Sequence, residues 1–352
     1  MSKPITPPRA MKKLYAFGTK RKIDMSLSEN PLGCSDAAME TLRTMKLAVS
    51  EYPKPSGSTL KTALAKRFLL SPDNFFIGNG SESIISNLTR VFGQENSEAV
   101  MPALSFPMFN ICSALAGLTP VVTPMNESLG IDLGAMKKTI TDKTAIVFIC
   151  NPNNPTGAVL AKKDLVLFMD SVPSSTLVVI DEANIEFGGE SVVDKVSKRS
   201  NLLVLRTFSK GFGLAGLRVG FAVGQAALIQ KLEEETPAFP VSELSEQIAI
   251  AALADQDFIE KTRIFVASER EKLTSQLIKL GFMVFPSQAN NLFVKIPNKL
   301  SARQFNLFLE TADISVVMGS NFEGFDDRFF RLSVRDAMTN RKFVGEVKRF
   351  FY

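Results

Sequence analysis

Short apolar runs separated by stretches of helical periodicity organise the chain between residues 75 and 223. Residues 75–77, 99–101, 119–122, 145–150, 177–180, 202–206 and 219–223 are strand-like and show little polar alternation. Strands that are apolar on both faces, spaced by helices, predict a parallel or mixed sheet covered on both sides. Helical stretches lie between them at 82–91, 106–116 and 162–171, with Ser81 expected to cap the first. Upstream, residues 35–48 read as a helix with Ser35 at its N-cap. Residues 52–58 (YPKPSGS) form a turn-rich loop and 58–68 resume a helical pattern. A Pro-containing break at 233–240 precedes helices at 242–254 and 257–280, strands at 283–285, 292–296 and 329–334, and helices at 301–311 and 339–350. That second pattern predicts a smaller α+β domain. The expected division is an N-terminal arm with part of the small domain over 1–45, a large domain over 46–235 and a small C-terminal domain over 236–352. Residues 1–22, rich in Pro and Lys, are expected to extend as an arm.

Length supports two units, since 352 residues exceed what one core usually serves. Hydrophobic residues make up 45% and charged residues 22%, an ordinary balance for a globular chain. The net charge of +5 is small, and the basic residues are scattered beyond the first 22 positions. No basic face is legible, so nucleic acid is not an expected partner. Nor is a membrane, because no run of about eighteen apolar residues occurs, and the start lacks the apolar segment of a secretory signal. Three cysteines stand far apart with no CxxC, which predicts no disulfide framework, a reducing compartment and a cytoplasmic location. There is no histidine. Ser–His–Asp and Cys–His nucleophile systems and His-ligated zinc are thereby excluded, and no metal site is expected. Proton transfer near neutral pH then needs a tuned carboxylate, lysine, tyrosine or a cofactor.

Four segments at strand ends carry candidate chemistry. The stretch 207–218 (TFSKGFGLAGLR) lies between two apolar strands. A buried lysine there has a lowered pKa and can form an imine with an aldehyde, while Ser209 and the fork of donors on Arg218 suit a phosphate. Residues 151–157 (NPNNPTG) turn at the carboxyl end of a strand, where α/β folds bind ligands. Asp181-Glu182-Ala183-Asn184 follows another strand, and a carboxylate there could pair with a ring nitrogen. Gly78-Asn79-Gly80-Ser81-Glu82 opens a helix, whose first N–H groups bind phosphate readily. Each segment alone also reads as a turn, cap or surface loop; their repetition after four strands points to one shared site.

Together these motifs resemble the fold-type I pyridoxal-phosphate (PLP) enzymes of the class I/II aminotransferase superfamily, in the histidinol-phosphate aminotransferase-like branch. The resemblance runs from SENPLG (28–33) to FRLSV (330–334), with NPNNPTG and FSKGFGLAGLR its most specific pieces. It implies an α/β fold: a large domain with a mostly parallel seven-stranded sheet between helices, plus a smaller α+β domain. It implies PLP held as a Schiff base by Lys210, which also moves protons between Cα and C4′. Asp181 would keep the ring nitrogen protonated, Asn154 would bond the ring 3-oxygen, and Phe106 would stack on the ring. The backbone at Ser81 and Glu82, with Ser209 and Arg218, would hold the phosphate. Tyr52 would reach the cofactor of a second subunit, making a homodimer. Arg331 and Asn30 would bind substrate, and the reaction would pass an amino group between a histidinol phosphate-like or aromatic donor and a 2-oxo acid such as 2-oxoglutarate. Three positions depart from the pattern. Asn184 stands where the family has a tyrosine on the 3-oxygen, which predicts a higher imine pKa. Met318 replaces an arginine near the substrate's phosphate, with Arg328 and Arg335 as possible compensation, and Asn291 replaces an aromatic. A lyase or decarboxylase of a phospho-amino acid on the same scaffold is the alternative reaction. A PLP-binding regulatory protein is disfavoured by the intact Lys210, Asp181, Asn154 and Arg218.

Overall fold

The structure, a computed structural model, describes residues 21–46 and 49–351. The expected N-terminal arm, up to residue 20, lies outside the described residues. In chain order the strands are β1 (Ile23–Asp24), β2 (Phe75–Gly78), β3 (Glu98–Pro102), β4 (Thr119–Thr123), β5 (Thr144–Cys150), β6 (Leu177–Asp181), β7 (Leu202–Thr207), β8 (Gly220–Val223), β9 (Met283–Val284), β10 (Asn291–Lys295), β11 (Ile314–Ser315), β12 (Val317–Met318) and β13 (Phe329–Ser333). Seven of them form one sheet in the order β2-β8-β7-β6-β5-β3-β4. All neighbours are parallel except β8, which is antiparallel to both β2 and β7. The α/β class and the mostly parallel seven-stranded sheet are as the sequence resemblance implied.

The central strands show why their sequences lack alternation. In β5, β6 and β7, Val147, Ile149, Val178, Ile180 and Val204 pack into one apolar cluster. The intervening Ile146, Phe148, Val179, Leu203 and Leu205 pack into another on the opposite face. Successive side chains point to opposite faces, so both faces are dry and both must be apolar. Phe148 stacks on Phe109 with centroids 4.7 Å apart.

A second sheet, antiparallel and four-stranded, runs β12-β13-β10-β9. Its core joins Leu292, Phe330, Phe305 and Phe343 with Leu273 and Leu277 of the long helix Gln256–Lys279. The N-terminal segment joins this part: β1 lies parallel to β11, and the Ser333 N–H donates to the Met25 carbonyl at 2.8 Å. Residues 25–30 are thereby led past the carboxyl edge of the large sheet. Ser35 caps the helix Asp36–Thr44, accepting from the Ala38 N–H; the rest of the expected 35–48 helix is shorter, and 47–48 are not described. The helix after β2 begins at Gly80, with Asn79 at the cap position. Ser81 therefore lies inside the first turn rather than capping it. Helices Leu133–Thr139 and Ala226–Glu234 were not expected from the sequence pattern.

Candidate active site

The carboxyl ends of β2, β3, β5, β6 and β7 meet the amino end of β8 on one edge of the large sheet. A cavity of about 540 Å³ opens there and is closed on its far side by the segment 27–29 and by β12, β13 and the loop between them. Among the residues lining it are Ser81, Glu82, Phe106, Asn154, Asp181, Asn184, Ser209, Lys210, Arg218 and Arg331. The structure thus brings ten of the twelve sequence-predicted site residues to one cavity.

One end combines an uncapped helix start with a guanidinium, a combination that suits an anion. The helix Gly80–Phe92 starts without a side-chain cap bond, so its first N–H groups are left to whatever lies before them. Arg218 sits beside that helix end, with Nη1 donating to Ser209 Oγ at 3.3 Å and to the Ala215 carbonyl at 3.1 Å. Two glycines allow this closeness. A Cβ on Gly80, at φ +77°, would lie 2.4 Å from Arg218 Nη2, and one on Gly220 would lie 2.5 Å from the Ser81 nitrogen. Only residues without a Cβ let two backbones and a guanidinium share so small a volume.

At the base of the cavity, Asp181 is buried at the end of β6 and accepts from the Ala183 N–H at 2.9 Å. Burial pushes its carboxyl up to about 6, against the backbone bond that lowers it; neighbouring Glu182 adds to the rise and Lys210 opposes it. Lys210 leaves the end of β7 and donates from Nζ to the Ser28 carbonyl at 2.8 Å. Burial, aided by Arg331 and Arg218, lowers its ammonium to about 8, with Glu29 and Asp181 acting the other way. An amine with such a pKa is partly neutral near pH 7 and so nucleophilic. Asn184 is 5% exposed, and its Oδ1 finds no partner among the described residues. Phe106 meets Phe109 edge to face at 5.7 Å and offers its ring to the cavity.

The outer wall holds Arg331 on β13, whose Nη1 donates to Asn154 Oδ1 at 2.8 Å and Nη2 to the Ser26 carbonyl at 2.6 Å. Two predicted residues lie elsewhere. Asn30 is buried and donates to the Gly211 carbonyl at 2.8 Å and to Thr262 Oγ1; it touches the turn after Lys210, not the cavity. Tyr52 is 85% exposed and stacks on Phe239 at 5.0 Å, away from the cavity of its own chain. The departures noted in the sequence also fall differently from expectation. Met318 does not line the cavity, whereas Val317 does. Asn291 donates to the Pro155 carbonyl at 2.6 Å and so fastens the 151–157 turn. Arg328 pairs with Asp326, and Arg335 with Glu29 and the Leu27 carbonyl; neither lines the cavity. Sequence reasoning missed the Ser28 carbonyl and Glu29, although SENPLG had been singled out. It missed Phe322 altogether, because a lone aromatic in a loop carries no pattern.

The residues present fit PLP, a phosphate monoester with an aldehyde, a 3-oxygen and a basic ring nitrogen. The glycine-lined helix end with Arg218 matches the phosphate, Asn184 and Phe106 line the region a ring would fill, and Asp181 and Lys210 supply the carboxylate and amine. Comparison with known proteins agrees. The family described as aminotransferase class I and II matches residues 20–347. The chain is 33% identical to histidinol-phosphate aminotransferase 2 of Carboxydothermus hydrogenoformans over 92% of its length and 90% of that protein. It is 34% identical to an aromatic amino acid aminotransferase of Cutibacterium acnes, over 80% of this chain and 82% of that one. The crystal structure of histidinol-phosphate aminotransferase from Sinorhizobium meliloti with pyridoxal-5′-phosphate superposes with a TM-score of 0.87 at 25% identity, covering 99% of this chain and 96% of that one. The chain belongs to the class I and II aminotransferases: it is a transaminase of PLP fold type I, and PLP is its cofactor.

Proposed function

We propose that the chain passes an amino group from an aromatic amino acid to a 2-oxo acid such as 2-oxoglutarate, with Lys210 as the attachment point of the cofactor. The observation that carries this reading is the convergence of Lys210, Asp181, Asn184 and Arg218 on one cavity whose far wall holds Arg331. Bound there, PLP supplies an aldehyde that takes up amines and a cationic ring that withdraws electrons from the donor's Cα. Asp181 keeps the ring nitrogen protonated, and a cation beside it draws its own raised pKa back down. Lys210 Nζ would be the group that takes the proton from the donor's Cα and delivers it to the cofactor carbon. Asn154 and Asn184 orient the 3-oxygen, and Phe106 covers the ring. The Ser81 and Glu82 N–H groups, Ser209 and Arg218 hold the phosphate. Arg331, already oriented by Ser26 and Asn154, receives the donor's carboxylate as a two-pronged fork.

The choice of donor rests on charge. Among the described residues, the cations lining the cavity are Lys210, Arg218 and Arg331. With the first two engaged by the cofactor, one remains for the substrate. That matches a carboxylate better than a dianionic phosphate, and Leu27, Met108, Val317 and Phe322 give the side-chain region an apolar wall. Aromatic donors therefore rank ahead of histidinol phosphate. We further propose a homodimer in which Tyr52 reaches the partner's cofactor phosphate, and a cytoplasmic location, which suits three free thiols. Among the described residues no helix is long and apolar enough to cross a membrane.

A half-reaction screen tests the reading. The cofactor's absorbance is followed with phenylalanine, tyrosine, glutamate, phosphoserine and histidinol phosphate in turn. Conversion to the pyridoxamine form, fastest with an aromatic donor, is expected; CO2 release without that form would overturn amino transfer. Lys210→Ala should abolish both the wild-type cofactor band and multiple turnover, and its full activity would overturn the role of the lysine.

A further inference from the structure

Behind the cavity lies a buried ionic cluster that the reaction does not use. Arg206 on β7 points to the face opposite Thr207, which lines the cavity. Its Nε donates to Glu182 Oε2 at 2.9 Å, its Nη1 to Glu186 Oε1 at 3.1 Å and its Nη2 to Ser191 Oγ at 3.0 Å. Glu182 is held further by the Val192 N–H at 2.7 Å and by Ser191 Oγ at 2.8 Å. The side chains of Arg206, Glu182 and Glu186 are 12%, 1% and 6% exposed. Taking three charges out of water is costly and is weak evidence for stability by itself, so the cluster calls for another reason.

Its position supplies one. Glu182 and Glu186 flank Asn184 and follow Asp181, whereas Arg206 is on β7, which ends at Thr207, three residues before Lys210. The cluster therefore ties the segment with the acid to the strand leading to the amine. Glu186 also lies directly under the turn after the lysine: a Cβ on Gly211 would come within 2.5 Å of Glu186 Cβ and 3.2 Å of its Oε2. From the other side, the Asn30 amide donates to the Gly211 carbonyl at 2.8 Å. We propose that Glu186 is a positioning residue for Lys210, which the Glu182–Arg206–Glu186 cluster and Asn30 hold at its place in the cavity through their contacts with Gly211. The proposal rests on Lys210 as the cofactor's attachment point.

The test uses the PLP-loaded full chain and the variants Glu186→Ala, Glu186→Gln and Arg206→Lys. Misplacing a reacting group by an ångström lowers turnover roughly tenfold to a hundredfold. Glu186→Ala should lower kcat by that factor, leave the donor's KM within about threefold and move the pH midpoint of the cofactor absorbance band. Glu186→Gln, which keeps the bulk and one acceptor for Arg206, should recover most of both. Arg206→Lys keeps the charge but loses the fork, and should repeat the Glu186→Ala result; it decides the matter if that variant fails to fold. The idea is overturned if turnover and band midpoint stay at wild-type values, or if turnover falls only in proportion to the fraction melted. Should Lys210→Ala retain the wild-type band, the assignment of the lysine fails instead, so the two failures are distinct.

Discussion

Asp181 shows most directly that site chemistry and folding pull in opposite directions. Its carboxyl is raised from the ordinary 3.8 to about 6 by burial. The folded chain thus holds this proton more tightly than the unfolded chain does. Folding is favoured below pH 4, and the advantage is lost as pH rises towards 6; above that, burying the charge costs on the order of 3 kcal/mol. Glu186, raised by burial to about 7 despite Arg206, adds a cost of the same sign. In the cofactor-free protein, Asp181→Asn should therefore raise the melting temperature at pH 8 by several degrees and change it little at pH 4. Calorimetry at the two pH values checks this, and equal effects at both would show that the carboxylate is not under strain. The same variant should lose most turnover once loaded, since an amide cannot hold the ring proton. Lys210 is the converse case. A value near 8 leaves about a tenth of it neutral at pH 7, against roughly one part in several thousand for an ordinary lysine. Residue types at strand ends made both groups legible in the sequence. The burial that tunes them was not, because it arises only when distant segments fold over the sheet edge, as where the Ser28 carbonyl meets Lys210 Nζ.

In the proposed site the helix Gly80–Phe92 turns a sheet edge towards the cofactor phosphate, and its first residue sets how closely it approaches Arg218. Gly80→Ala places a side chain at φ +77°, a conformation an alanine resists by about 1 kcal/mol. The clash at 2.4 Å is with the far end of Arg218, which can move aside. Folding then bears a small cost and the phosphate site a larger one. Loss of one charge-assisted contact should weaken PLP binding roughly tenfold or more in an absorbance titration, with a melting temperature lowered by only a few degrees. An unchanged affinity would remove Arg218 from the phosphate site. At this scale the sequence was informative where patterns are long. All seven strands of the large sheet were expected within two residues of their ends, since runs such as residues 145–150 admit few other readings. β1, β11 and β12 were not foreseen: each is two residues, too short to show a period, and of the strands that short only β9 was expected, within a longer apolar run. Leu133–Thr139 was missed because its seven residues contain a glycine and barely two turns.

Across the whole molecule, the site depends on chain segments that meet only after folding. The pairing of β1 with β11 carries residues 25–30 over the cavity, where the Ser28 carbonyl meets both Lys210 Nζ and the Asn290 amide. Ser28 and Ser333 share a hydrogen bond at 3.0 Å, and Arg335 braces Leu27 and Glu29. This bridge closes one cavity between the edge of the large sheet and β13. It leaves Tyr52 outside, its ring stacked on Phe239 and otherwise open to solvent. An aromatic so exposed in a loop beginning YPKP is suited to contact a second copy. If the two copies form a closed pair, each site takes Lys210 from one chain and Tyr52 from the other, as two-fold symmetry requires. The arrangement has an arithmetic consequence. Lys210→Ala and Tyr52→Ala chains, each poorly active at limiting PLP, are mixed in equal amounts and allowed to exchange subunits. Half of the pairs are then mixed, and in each of these one site carries both defects and the other carries neither. Activity should rise to about a quarter of wild type. Sites contained within single chains would give only the average of the two variants before mixing, and that result would rule out the shared site whatever the oligomeric state.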